Sequence, residues 1–187
     1  MKKSFDNTSL WNEAAVSGLL FGAVSIGCLA GKEAAALTGN VFLTQAAAII
    51  LWAVEFFGCI LLMKNRMVLL RDKYEGIKIT DSYRFGRRAA LLSGLLLASA
   101  QALIIMKMPQ GTMDTMLAQV GEAMSMTSAD MQQAGAMLDK LPLYTFIFQW
   151  LYCFLYGTVL SAIMSRYIFI QKLFDGPSSN DNEPDNQ

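Results

Sequence analysis

The chain contains no histidine. That removes the side chain most used as a general base near neutral pH, and also the commonest metal ligand. No Ser/His pair, paired-acid site or metal-ligand cluster stands out, so no catalytic residue, metal site or cofactor is expected and a non-enzymatic role is favoured. There is no glycine-rich phosphate loop either. Charge is scarce: Asp, Glu, Lys and Arg make up 16% of 187 residues against 54% apolar ones, a balance unlike that of an ordinary soluble domain. The 15 basic and 15 acidic residues cancel, and nothing in the total points to nucleic acid. Only three cysteines occur, Cys28, Cys59 and Cys153, each inside an apolar run. Packed free thiols are expected there, since an oxidised framework would place cysteines in exported loops.

What the sequence does have is long apolar runs. A helix rises about 1.5 Å per residue, so roughly 20 apolar residues cross a hydrocarbon core of about 30 Å. Four stretches meet that length: Ala14 to Gly31, Val41 to Met63 with one interruption at Glu55, Ala89 to Met106, and Leu141 to Ser165. Period-two alternation is absent from them, and segments this long satisfy their own backbone in lipid only as helices. Pro142 falls in the first turn of the fourth, where proline is tolerated. The first run is read as a span rather than a signal peptide, because Asp6 and Glu13 precede it and no small-x-small cleavage site clearly follows. The expected fold is all-α: a polytopic membrane four-helix bundle, with residues 1–13 as an N-terminal segment and 14–174 as the membrane domain.

Basic residues set the orientation. Lys64, Arg66, Arg71, Lys73, Lys78, Arg84, Arg87 and Arg88 lie between spans two and three, and Lys2, Lys3, Arg166 and Lys172 share that face. The other face holds Lys32, Lys107 and Lys140. The basic face is expected to be cytoplasmic, with both termini on it.

Lipid offers helices no hydrophobic reason to associate, so small residues allowing close approach and polar side chains bonding across helices carry the packing. Three spans supply a small-residue stripe: Ala14, Gly18 and Gly22 in the first; Ala90, Gly94, Ala98 and Ala102 in the third; Gly157, Ser161 and Ser165 in the fourth. Packing within one bundle is the plain reading, and contacts in a homo-oligomer are the sharper one. Counting depth along each helix places Gln45, Ser99, Gln101 and Gln149 in an outer layer. A deeper layer, roughly 20 Å from the outer edge, holds Glu55, Ser17, Ser93 and Tyr156. An ionised carboxylate facing lipid is costly, so Glu55 should point inward, with Tyr156 as its expected partner. Structural polar glue is the plain reading of Glu55, and a place on a transport pathway is the sharp one.

Span two should continue as a helix through Met67 to Leu70 and turn near Glu75 and Gly76. The following piece, Ile77 to Phe85, alternates apolar and polar residues. With Arg71, Arg84, Arg87 and Arg88 it reads as a basic interfacial anchor for anionic lipid. The segment from Lys107 to Lys140 opens on a Pro109, Gln110, Gly111 turn and carries two helical periods, forming a short amphipathic hairpin. Met113, Met116, Leu117, Val120 and Met124 share one face. The second period starts at a Thr127 to Asp130 capping box and groups Met131, Ala134, Leu138 and Leu141. Methionine spacing admits copper(I), but adaptable apolar packing accounts for those residues better. Residues 175–187 read as a disordered cytoplasmic tail.

One stretch carries a family resemblance: Arg71 and Asp72, then Gly76, Ile77, Lys78, Ile79, Thr80, Asp81, Ser82, Tyr83, Arg84, Phe85 and Gly86. With the helical insert after span three, it resembles the bacterial four-span membrane proteins called domain of unknown function 4199. The chain departs in its single Gly76 and in the Asp81, Ser82 pair. The resemblance implies a bacterial inner-membrane location and carries no activity across. Two functions remain: association with itself or another membrane component, or a small transporter or channel subunit built around Glu55.

Overall fold

The computed structural model describes residues 6–74, 76–138 and 140–174, without the side chains of 110, 116, 128, 136 and 169–174. Lys2, Lys3, Glu75 and the tail from Asp175 therefore lie outside the described residues, as do the side chains of Met116 and Lys172. The chain is all-α. Four long helices, α1 (Asn7–Ala36), α2 (Val41–Lys73), α3 (Ile79–Met106) and α6 (Leu141–Phe174), form a bundle, with α4 (Gln110–Ala123) and α5 (Ser128–Leu138) as a hairpin between the last two. All four long helices are apolar and long enough to cross a bilayer, and the protein is a multi-pass membrane protein.

Local chemistry fixes the helix ends. Asp6 accepts the Ser9 backbone N–H at 2.7 Å, starting α1 seven residues before its apolar run. Asn40 does the same for Leu43 at 3.2 Å to start α2, after Gly39 turns the chain at φ +68°. The next turn needs Gly76 at φ +74°, and Asp81 then accepts the Lys78 backbone N–H at 3.2 Å to open α3. Pro142 sits in the first turn of α6, as its position requires.

The third helix is the hub. Along one side it runs parallel to α1: Gly18 lies against Ala89 and Leu92, and Gly22 against Leu96. Along another it runs antiparallel to α6, with Gly94 against Cys153 and Trp150, Ala90 against Gly157, and Gly86 against Ser161. The Ser161 hydroxyl donates to the Tyr83 carbonyl at 3.0 Å across that interface. Ala14, Ala98 and Ser161 are completely buried. All three small-residue stripes are thus occupied within the chain. Helix α2, which has no such stripe, is the loosest member, and only Met63, Met67 and Leu70 of it are buried.

Core packing is uneven along the bundle. The buried cluster of Leu10, Ala14, Phe21, Met63, Met67, Leu70, Tyr74, Phe85, Ala89, Leu160 and Ile168 fills the end nearest the α2–α3 turn, here called the basic end. Glu13 joins α1 to α2 there, bonding Lys73 and accepting the Tyr74 hydroxyl at 3.2 Å, and Arg88 stacks 4.3 Å over Trp11. The opposite, hairpin end is splayed.

The alternating stretch after Gly76 is helical rather than extended. Ile79 already begins α3, and Ser82, Phe85 and Gly86 are buried core residues of that helix. The apparent alternation is a helix face seen over too few residues. Arg84 and Arg87 remain exposed, Arg88 turns inward onto Trp11, and Arg71 bonds its neighbour Asp72 at 3.1 Å.

The hairpin matches its sequence pattern. Thr127 and Asp130 cap each other reciprocally, Thr127 N–H to Asp130 Oδ2 at 3.1 Å and Asp130 N–H to Thr127 Oγ1 at 3.3 Å. Met131 packs against Gly121, and Leu117 against Gly135. Val120, Met124 and Met137 stay exposed.

Candidate functional site

The splay leaves a cavity of about 270 Å³ between all four long helices, on the hairpin side of the core. Its floor is made by Phe21, Met63, Ala90 and Leu160, where the packed end begins. Toward the hairpin end its walls include Ser25, Leu29 and Lys32 from α1, Ser93, Leu97 and Gln101 from α3, and Gln149, Cys153 and Tyr156 from α6. Helix α2 contributes Trp52, Glu55, Phe56 and Cys59. Mostly apolar walls with a few convergent polar groups are the usual character of a small-molecule site.

The charged centre is an ion pair. Lys32 Nζ lies 3.3 Å from Glu55 Oε2, with side-chain exposures of 29% and 21%. This corrects two expectations. Lys32 is not the outer flank of span one, because α1 continues to Ala36 and the lysine stem reaches inward along the apolar wall. Glu55 takes that ammonium as its partner, whereas the Tyr156 hydroxyl is buried with no hydrogen-bond partner among the described residues. The physical reason is reach. A tyrosine holds its hydroxyl at a fixed distance from the backbone, while a lysine several residues nearer the end of a neighbouring helix extends down to the acid.

The expected polar layers separate by facing. Glu55, Ser93 and Tyr156 line the cavity, but Ser17, of equal depth, is buried elsewhere on α1 and its hydroxyl has no partner among the described residues. Of the outer set, Gln101 and Gln149 line the cavity, and Gln149 donates to Cys153 Sγ at 3.4 Å. Gln45 is exposed, and Ser99 bonds its own helix at the Leu95 carbonyl, 2.8 Å. All three cysteines are free, with Cys28 buried and the other two on the cavity wall.

Sequence reasoning passed over the aromatic wall. Trp52 stacks on Phe56 at 5.5 Å, Phe56 tilts against Tyr156 at 5.7 Å, and Tyr156 stacks on Tyr152 at 6.4 Å. Trp52 and Tyr152 line the cavity yet are 56% and 62% exposed. They therefore stand at its rim, where α2 and α6 face each other. The available signal was Trp52, Glu55, Phe56 on α2 with Tyr152, Tyr156 on α6, two helices repeating aromatics at i, i+4 around one acid.

No family model matches the chain, and no curated protein or solved structure matches it.

Proposed function

We propose that this protein is a non-enzymatic accessory protein of the membrane that receives a small amphipathic molecule between its helices. The observation that carries the reading is the cavity itself, mostly apolar, furnished with the Lys32–Glu55 pair, and rimmed by exposed Trp52 and Tyr152. About 150 Å³ suffices for a benzene-sized guest, and this space is larger. The packed basic end closes its floor, which favours holding a ligand over passing it through. The transport-subunit alternative requires the cluster around Phe21, Met67, Leu70 and Phe85 to part.

A second reading, association through the hairpin, draws support from the exposure of Val120, Met124 and Met137. The excess of Lys and Arg favours a cytoplasmic basic end. Placement in a bacterial inner membrane rests on the resemblance carried by Arg71, Asp72, the Gly76 to Gly86 stretch and the helical insert after span three.

Native mass spectrometry of the protein in lipid nanodiscs tests ligand binding. A small-molecule adduct is expected on the unaltered protein and not on Ser93→Phe, which fills the cavity. The reading falls if no adduct forms and added neopentylbenzene, a neutral apolar probe, does not enter either.

A further inference from the structure

Resting on that reading, we propose that the cavity selects an organic ammonium with an apolar body, and that Lys32 is the tethered cation such a ligand displaces from Glu55. The site as found is electrically balanced, with one ammonium 3.3 Å from one carboxylate. An incoming charged guest must take the place of one of them, because an extra unpaired charge in this setting is costly.

The two members of the pair differ in their freedom to withdraw. Glu55 sits in the middle of α2 on a short side chain, with helix continuing on both sides. Lys32 lies four residues before the end of α1 at Ala36, on a long flexible stem. It can retract toward the hairpin-end interface and stay solvated there, as lysines near span ends do. The carboxylate has no such exit. A cation that replaces Lys32 is thus accommodated, while an anion that replaces Glu55 is not.

The aromatic wall supports the same sign. The run of Trp52 stacked on Phe56, Phe56 tilted against Tyr156 and Tyr156 stacked on Tyr152 puts electron-rich aromatic side chains around the same cavity as the carboxylate. Ring faces attract ammonium groups and repel anions, and aromatic cages are the common solution for quaternary ammonium ligands. Among the described residues Lys32 is the only Lys or Arg lining the cavity, so an anionic guest would have a single partner and would leave Glu55 uncompensated. The exposed rings of Trp52 and Tyr152 mark a side entrance between α2 and α6, the route an apolar cation dissolved at the bilayer interface would take. The Tyr156 hydroxyl, buried without a described partner, adds a polar contact inside.

The experiment compares three probes of one shape on the full-length protein in nanodiscs: benzyltrimethylammonium, neutral neopentylbenzene, and anionic phenylmethanesulfonate. Binding is read by calorimetry and by Trp52 fluorescence in a Trp11→Phe, Trp150→Phe background. The ammonium is expected to bind best. Lys32→Met removes the competing cation and should tighten ammonium binding about tenfold, and Glu55→Gln should weaken it by about tenfold or more. The double variant Lys32→Met, Glu55→Gln carries no unpaired charge, so it guards against loss of folding; it should take neopentylbenzene and lose its preference for the cation. If the neutral probe binds as well as the ammonium and Lys32→Met changes nothing, the ammonium assignment is overturned while the binding reading stands. Preference for the sulfonate, lost in Lys32→Met, overturns it in the opposite sense. If none of the three enters, both readings fall together.

Discussion

At the scale of single residues, the pair Lys32–Glu55 is the feature with the clearest consequences. Each charge is tolerated in the bundle because the other is 3.3 Å away. Removing Lys32 leaves the carboxylate uncompensated among apolar walls, which should destabilise the protein by about 2 kcal/mol in Lys32→Met, while Glu55→Gln should cost less because the freed lysine retracts to the interface. The double variant should lose much less than the sum of the two, because no lone charge remains. A double-mutant cycle on reversible unfolding in mixed micelles measures this, and strict additivity would show that the pair contributes nothing. A second residue-scale expectation lies in the hairpin. Hydrogen bonds from the Thr127 hydroxyl and N–H hold the Asp130 carboxyl below the usual carboxylate range. A carboxylate with a lowered folded-state pKa contributes stability above its unfolded value, and that contribution is lost as pH falls through the folded one. The α5 amides should therefore exchange faster as pH drops below about 4 relative to the intrinsic rate, and Asp130→Asn should remove that dependence.

At the scale of helices, close approach is set by what each glycine would meet if it carried a methyl group. At Gly157 an added Cβ would lie 2.3 Å from Ala90 Cβ, and at Gly58 it would meet nothing within 4 Å. Gly157→Ala should therefore wedge α6 from α3 and cost about 1–3 kcal/mol. Gly58→Ala, on the loosely packed α2, should be neutral or stabilise by about 0.5–1 kcal/mol. Thermal unfolding of the two variants side by side decides it. The same contrast explains how far the sequence could be read. Stripes of small residues at every fourth position marked faces of α1, α3 and α6 that allow close helix approach in lipid, and these faces meet within the chain. Depth along a helix was equally legible, but rotation about its axis was not, which is why Ser17 and Glu55 share a depth and not a site. The partner of Glu55 was missed for a related reason: a lysine was assigned by the level of its backbone, while its ammonium is several ångströms deeper. The Ile77 to Phe85 stretch misled because nine residues do not separate a strand-like alternation from the first turns of a helix.

At the scale of the whole molecule, the packed basic end and the splayed hairpin end raise the question of which side of the membrane each faces. Lys32 reaches into the bundle toward Glu55 and is not a flanking residue of its span. That leaves Lys107 and Lys140 at the hairpin end, against Lys64, Arg66, Arg71, Lys73, Lys78, Arg84, Arg87, Arg88 and Arg166 at the other. We propose from this bias that the basic end is cytoplasmic and the hairpin outside. Native cysteines do not confuse a labelling test, because Cys28 is buried and Cys59 and Cys153 lie within the spans. Ala129→Cys, exposed in the first turn of α5, should react with a membrane-impermeant maleimide added to intact expressing cells. Asp72→Cys, exposed near the end of α2, should react only after the membrane is opened. Labelling in the reverse order would invert the protein, placing the cavity on the cytoplasmic side of the core, so that its ligand would have to be supplied from within the cell.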